Sequence, residues 1–424
     1  MAKGLISASK VLWTNPLLFP ATMWLVSRLF IWTAMLLVAP NLPAPPGGIA
    51  PKFGWEVFDA WDSVHYHSIA TSGYEFANDG KGHNLAFFPL FPLIVRGFMS
   101  LGLPFEVAGT LVSSLAFLAA LYCLYFWVED HHGKPAARWT TAVVAWCPLS
   151  MFGTVIYTEG LYLLLSTAAL QAFDKQQYGW TVLWGAMATA TRPTGLALIP
   201  AFLLAAWKQR RPLIAYIAGF GTAIGVLLFT LYCAIHFGDP LGFIHAQRGW
   251  RSSLGFDWQA WWKMLMQIAI GTWNWKHGSI KDPLHPLCFV MILGIGYCLW
   301  HFRQKLGSQK VDYGFAALVF LLWILAGDPF INTATVFGSA YLLWKLPTQL
   351  TPVAVFYGFC GLALLLASGG TWSLSRLVYG IASASVALGV LLSHHPRWGY
   401  ITLFFFAIIL ASFSIRFAQE LWVG

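Results

Sequence analysis

Apolar residues run through this chain in long blocks broken by short polar turns. Blocks of that kind read as helices crossing a bilayer, since a spanning helix needs about 20 predominantly apolar residues. The pattern predicts a first span over 17–39, ended by the Pro-rich stretch 40–51. Further spans are expected over 106–128, 138–157, 158–173, 179–192, 194–207, 212–236, 284–302, 313–327, 331–346, 350–368, 376–393 and 397–418. That makes about thirteen crossings, some too short to span unless tilted or buried among neighbours. Two polar stretches interrupt the pattern. One, over 40–100, is a first outer loop; the other, over 236–283, is a second. Within the first, Leu85–Leu93 is apolar but carries Pro89 and Pro92, which remove donors and kink a helix. It is expected to re-enter or lie at the interface without crossing.

Charge fixes the orientation. If 85–100 does not cross, Lys134 with Arg138, Lys175, Lys208 with Arg210 and Arg211, Arg303 with Lys305 and Lys310, Lys345, and Arg397 all fall on the side of Lys3 and Lys10. The positive-inside rule makes that side cytoplasmic. The first span is expected to be retained, because no small-residue cleavage site follows it. Composition agrees: 58% hydrophobic, 10% charged, mean hydropathy +0.65, which excludes a soluble domain. The net charge of +9 fits cytoplasmic loop bias, or arginines that bind an anionic lipid or phosphate. The six cysteines are scattered and form neither a disulfide framework nor a zinc pattern. The 23 tryptophans suit membrane interfaces and sugar-stacking surfaces equally well. The fold class is an all-α polytopic membrane bundle, read as a single transmembrane domain over 1–424.

The densest cluster of titratable groups is Phe58-Asp59-Ala60-Trp61-Asp62-Ser63-Val64-His65-Tyr66-His67. Carboxylates beside apolar spans are costly unless they pair, solvate or work. If the stretch is helical, Asp59, Asp62 and Tyr66 share a face, with His65 beside Asp62. Asp62 is the candidate general base. Asp59 is the candidate helix-start charge or supporting carboxylate. His65 would hydrogen-bond Asp62 or a phosphate. The predicted topology puts Glu159, Arg192, Gln247, Arg248, Trp250, Arg251 and Arg376 on the same outer face. Arg192 sits at a Pro-broken helix junction, where freed backbone donors also favour anions. Arg376 opens a span. Arg248 and Arg251 lie in a loop read as solvent-exposed. Gln247 and Trp250 could meet a sugar by hydrogen bond and stacking. His65 and His67 diverge on a helix, so no metal is expected, and nothing points to nucleic acid.

Carboxylates, arginines and tryptophans under a helical bundle suit transfer of a sugar from a lipid-linked phosphate to a hydroxyl. The chain has no Gly-rich phosphate loop or dinucleotide signature, and an outward site favours a lipid-linked over a nucleotide donor. The rival reading is a transporter or flippase of a lipid-linked substrate, which broken helices also suit.

The motifs Trp61-Asp62-Ser63-Val64-His65-Tyr66, Gly73-Tyr74, Ala86-Phe87-Phe88-Pro89-Leu90-Phe91-Pro92, Tyr157-Thr158-Glu159, Arg192-Pro193-Thr194-Gly195, Gln247 with Trp250, and Ser375-Arg376 occur in that order. Together they resemble the PIG-V family, which includes the second mannosyltransferase of GPI-anchor assembly and bacterial relatives. The resemblance implies a GT-C fold, a polyprenyl- or dolichyl-phosphate sugar donor, mannose as the sugar, inversion, and Asp62 as the base. One departure is Gly160, where the family usually has Ser. The acceptor does not carry over, and is expected to be a lipid or glycan hydroxyl. No protein partner is named by the sequence. The short loops and the lack of sorting tails favour a bacterial plasma membrane over the endoplasmic reticulum, with the site on the non-cytoplasmic face.

Overall fold

A computed structural model describes residues 15–251 and 255–423, and Lys3 and Lys10 lie outside them. Among the described residues the regular structure is helical, apart from one isolated bridge between Gly255 and Ser368. In chain order the main helices are α1 (Leu18–Trp32), α2 (Ser63–Thr71), α3 (Leu90–Met99), α4 (Phe105–Trp146), α5 (Glu159–Asp174) and α6 (Tyr178–Thr191). They continue as α7 (Leu198–Lys208), α8 (Leu213–Gly221), α9 (Ile224–Phe237), α10 (Trp258–Ile270), α11 (Thr272–His277) and α12 (Leu284–His301). The last are α13 (Ser308–Ala326), α14 (Asp328–Lys345), α15 (Pro352–Ala367), α16 (Leu374–Tyr379), α17 (Ala382–His394) and α18 (Pro396–Ala418).

Each apolar block predicted to span contains a helix, but the block 138–157 is α-helical only to Trp146 and then runs through a 3₁₀ turn and irregular chain to α5. Six helical stretches among the described residues are long and apolar enough to cross a membrane by length and composition: 18–41, 105–146, 213–237, 284–301, 308–326 and 396–418. The 42-residue α4 exceeds any bilayer and is broken at Gly133, whose φ of 78° ends one helix before Pro135 begins the next. This break is where the prediction placed a basic turn. The Pro-bearing segment 85–93 forms a short 3₁₀ turn and then α3, a ten-residue helix too short to cross.

The core is built around α4 and α5, which pack on α1, α6 and α17. Small residues let these helices approach closely: a Cβ on Gly389 of α17 would meet Thr140 Oγ1 at 2.0 Å, and one on Gly225 of α9 the Ala186 carbonyl at 1.9 Å. By contrast α12 and α13 pack mainly on each other at the periphery, and α12 buries no residue fully.

Arg28 is wholly buried within α1. Its guanidinium donates to the carbonyls of Ser150 (2.8 Å) and Ala145 (3.3 Å) and to the hydroxyls of Thr154 (2.9 Å) and Ser150 (3.0 Å). It also sits over the Phe117 ring, 4.5 Å from the centroid. A charge in an apolar span needs such partners. These bonds fix the connection 147–158 between α4 and α5, which holds the 3₁₀ turn Pro148–Gly153. That connection delivers Phe152, Tyr157 and Glu159 to one end of the bundle.

At the other end of α5, roughly 24 Å away at 1.5 Å per residue, a second polar group gathers. Trp127 Nε1 donates to Asp174 Oδ2 at 2.9 Å, Arg211 Nη2 lies 3.9 Å from Asp174 Oδ1, and Lys175 Nζ pairs with Asp130 at 2.9 Å. Three of the loops assigned to the basic side thus meet at one end, opposite Glu159.

Candidate active site

The site begins at a strained residue. Trp61 adopts φ +62°, a left-handed conformation unusual for a bulky side chain. The reversal lets α2 start at Ser63, one residue after Asp62. The Asp62 N–H donates to the Tyr157 hydroxyl at 3.2 Å, and that hydroxyl donates to the Ala60 carbonyl at 3.3 Å. A phenol from the α4–α5 turn therefore sets where the helix begins. This corrects the expected helical register. Asp59 is extended and precedes the helix, so Asp59 and Asp62 do not share a face. Asp59 instead accepts the Ser63 hydroxyl at 2.5 Å, and burial pushes its carboxyl above the usual range.

Asp62 Oδ2 accepts from Arg376 Nη1 at 2.8 Å. Arg376 Nε lies 3.5 Å from Glu159 Oε1, and Arg192 Nη1 lies 2.5 Å from the same oxygen. The four residues form a chain, Asp62–Arg376–Glu159–Arg192, drawn from four separate parts of the sequence. Its buried centre is Glu159, 1% exposed, while the Asp62 side chain at its open end is 24% exposed. Arg376 lies over Phe152 and Tyr157, 5.3 and 5.1 Å from the ring centroids. Arg192 is at the break between α6 and the 3₁₀ turn Pro193–Ala197, as its Pro-broken sequence predicts. Asp62 Oδ1 accepts no hydrogen bond among the described residues.

His65 was expected to hydrogen-bond Asp62 or a phosphate. The structure gives Asp62 the partner Arg376 instead. His65 stacks on Phe87 with ring centroids 4.5 Å apart and meets Trp250 edge-on at 5.4 Å. Burial pulls its imidazole below the ordinary histidine range, against the pull of the nearby Asp62 charge. Trp250 thereby joins the two long polar loops, which also touch where Gly249 approaches Gly82 too closely for any Cβ. Gln247 contributes its backbone, its carbonyl taking the N–H groups of Trp250 and Arg251, both at 3.0 Å. Arg248 is exposed and forms no ion pair among the described residues. Arg251 is not exposed as the loop composition implied. It donates to the Ser368 carbonyl (3.1 Å), the Ser368 hydroxyl and the Gly369 carbonyl (2.9 Å). Burial, and then the charge of Arg376, hold its guanidinium below the usual arginine range. A half-buried arginine near a second arginine, with no acidic partner among the described residues, is the arrangement an anion would complete.

Three contributors escaped the sequence reading. Arg28 was detectable as a lone charge in an apolar run. The Tyr157 hydroxyl carried no signal beyond its motif and the Phe152 ring none at all, because their role depends on a turn tied from α1.

Gly160 has a steric cause. A Cβ there would meet the Ser113 carbonyl at 2.6 Å and Phe117 Cβ at 3.2 Å. Gly160→Ser, the residue usual in the family, is expected to destabilise the protein by about 1–3 kcal/mol through overpacking. A thermal-shift measurement in detergent checks this. Asp59→Asn is expected to keep transfer within about threefold of wild type, since Asp59 touches Ser63 and not the charged chain. A collapse comparable to that of an Asp62 variant would show that Asp59 shares the chemistry.

A family model described as Mannosyltransferase (PIG-V) matches residues 18–210. Human GPI alpha-1,6-mannosyltransferase 2 is 28% identical over 156 residues, covering 33% of this chain and 29% of that protein. GPI mannosyltransferase 2 of Cryptococcus neoformans var. neoformans serotype D is 28% identical over 148 residues, covering 32% of this chain and 34% of its own length. The match therefore spans well under two thirds of either relative. Among solved structures, the oligosaccharyltransferase of Archaeoglobus fulgidus aligns over 95% of this chain and 53% of its own, with a TM-score of 0.46 and 14% identity. ArnT from Cupriavidus metallidurans, bound to undecaprenyl phosphate, aligns over 93% of this chain and 78% of its own, with a TM-score of 0.39 and 13% identity.

Proposed function

We propose that the chain is a membrane glycosyltransferase of GT-C type, a reading supported by the family model that matches residues 18–210, which include Asp62, Glu159 and Arg192. It moves mannose from a polyprenyl- or dolichyl-phosphate donor to a hydroxyl of a lipid or glycan acceptor, on the non-cytoplasmic face. The observation that carries this reading is the state of Asp62. One carboxylate oxygen is held by Arg376 at 2.8 Å, and the other is available at the open end of the chain of charges.

In this reading Asp62 Oδ1 takes the proton of the acceptor hydroxyl as its oxygen attacks the anomeric carbon. The bond from that carbon to the phosphate oxygen breaks, and the electron pair leaves with the phosphate. A single displacement inverts the sugar. Arg376 and Arg251 meet the charge that develops on the leaving phosphate. Glu159 and Arg192 hold Arg376 in place from below. His65, kept neutral by burial, can donate one hydrogen bond without adding charge. The outward orientation is supported by the loops tied at Asp174, which gather the basic side at the opposite end of α5.

Purified protein in vesicles, given polyprenyl-phosphate mannose and membrane lipid extract, tests the proposal. Mannose released from the donor and found on a new glycoside supports it. Movement of the lipid-linked substrate across the bilayer without a new glycosidic bond would favour the transporter instead.

A further inference from the structure

Arg376 is carried by α16, a helix of only six residues. So short a helix has little stability of its own, and its surroundings must hold it. The residue at its start, Ser373, has a φ of 55°, and its side chain makes no capping bond. The cap comes from another helix. Asn332 Oδ1 on α14 accepts the Ser375 N–H at 2.7 Å. Both residues are buried, at 7% and 1% exposure. At the other end of α16 the Tyr379 hydroxyl donates to the Val144 carbonyl of α4 at 2.9 Å. Arg376 therefore sits between two pins, one in the turn that carries it and one a turn further on.

Asn332 heads the inward stripe of α14, followed by Val336, Ser339 and Leu343. A buried amide in such a stripe is costly unless it is bonded. An asparagine that only glues two spanning helices can bond anywhere along them. This one meets the backbone N–H immediately before Arg376, in the turn whose rotation sets where the guanidinium points. The helix that carries it is firmly moored. Asp328, at the start of α14, accepts two bonds from Arg416 of α18 at 3.1 and 3.0 Å, and Thr333 Oγ1 donates to Met264 Sδ of α10 at 3.1 Å. Among its helical neighbours α16 packs chiefly on α14. The two contacts Arg376 must make at once, 2.8 Å to Asp62 and 3.5 Å to Glu159, do not survive a displacement of about 1 Å.

We infer that Asn332 is a positioning residue for Arg376. Its amide oxygen fixes the first turn of α16, so that one guanidinium reaches Asp62 and Glu159 together. It acts through the Ser375 N–H and not on the reacting atoms. The kinetic consequence rests on the proposed transferase reading; the pairing itself rests on geometry. Asn332 lies beyond the residues 18–210 matched by the family model, so nothing in that match assigns it.

Two substitutions of nearly equal size test the bond. Asn332→Leu removes the acceptor, and Asn332→Asp keeps an oxygen in its place. Rates are taken per mole of folded protein, with polyprenyl-phosphate mannose as donor and membrane lipid extract as acceptor. Asn332→Leu is expected to lower kcat about tenfold with donor KM within about twofold, the signature of a contact realised in the transition state. Asn332→Asp is expected to return kcat to within about threefold of wild type. Wild-type kcat in the Leu variant, or an Asp variant no better than Leu, overturns the inference. A second readout needs no donor: thermal shifts in detergent of Asn332→Leu, Arg376→Met and the double variant. Glu159 keeps Arg192 when Arg376 is replaced, so the Arg376→Met protein retains part of the charged chain. Asn332→Leu is expected to lower the midpoint in that background by less than about half as much as in wild type, because the contacts it disturbs are already gone. Equal lowering in both backgrounds overturns the inference, since Asn332 then caps α16 without bearing on Arg376. Coupled melting in a protein that transfers no sugar would support the positioning role and refute the transferase reading.

Discussion

Asp62→Asn is expected to lower sugar transfer by about 10²- to 10⁴-fold while the protein folds normally. The magnitude is that of removing a positioned general base. Asparagine keeps the size of the side chain and can still accept from Arg376, but it cannot take the acceptor proton. Stability should fall by no more than about 1 kcal/mol, because the pair is partly exposed and Arg376 keeps Glu159. The contrast between a large kinetic loss and a small thermal one is the informative result. It is read from initial rates at saturating donor beside thermal shift in the same detergent. An Asp62→Asn protein with wild-type rates would remove the base from this residue and the proposed mechanism with it.

Glu159→Ala has the largest expected effect on stability. Glu159 is buried and shared by two arginines, at 2.5 and 3.5 Å. Removing it leaves two guanidinium groups near each other, with only Asp62, bound to Arg376, to compensate them. Breaking one partner out of a buried ionic group costs about 3–5 kcal/mol. Transfer should fail as well, because Arg376 loses the contact that aims it at Asp62. Glu159→Gln separates the two effects: it restores an acceptor oxygen and volume, so it should recover part of the thermal loss and less of the activity. If both variants melt like wild type, the charged chain is not an energetic unit.

Most of the architecture was legible because a bilayer imposes a coarse rule that sequence satisfies visibly. Apolar blocks of the required length marked the helices, and Pro89 with Pro92 marked the segment that does not cross. The four-residue chain of charges was legible only as a set of candidates on one predicted face. Asp62, Glu159, Arg192 and Arg376 were named, but not that Asp62 would pair with Arg376 in place of His65. That choice depends on α16 lying beside α2, a contact across more than 300 residues. The start of α2 was misread for a similar reason. Local propensity allows a helix through Asp59, and the Tyr157 hydroxyl overrides it from the α4–α5 turn. Arg251 was misjudged because its acceptors lie 117 and 118 positions away.

Arg28 places a demand on how the chain is made. Its acceptors begin 117 residues later, at Ala145, and the last of them, Thr154, lies 126 residues on. At about 5–20 residues per second of synthesis, the first helix waits on the order of ten seconds before that pocket exists. During the interval a guanidinium in hydrocarbon costs about 2.5–3.5 kcal/mol on the insertion scale, unless it reaches toward water or lipid headgroups. The first helix therefore enters the bilayer provisionally, and is locked in place only when the hairpin of α4 and the turn that follows it arrive beside it.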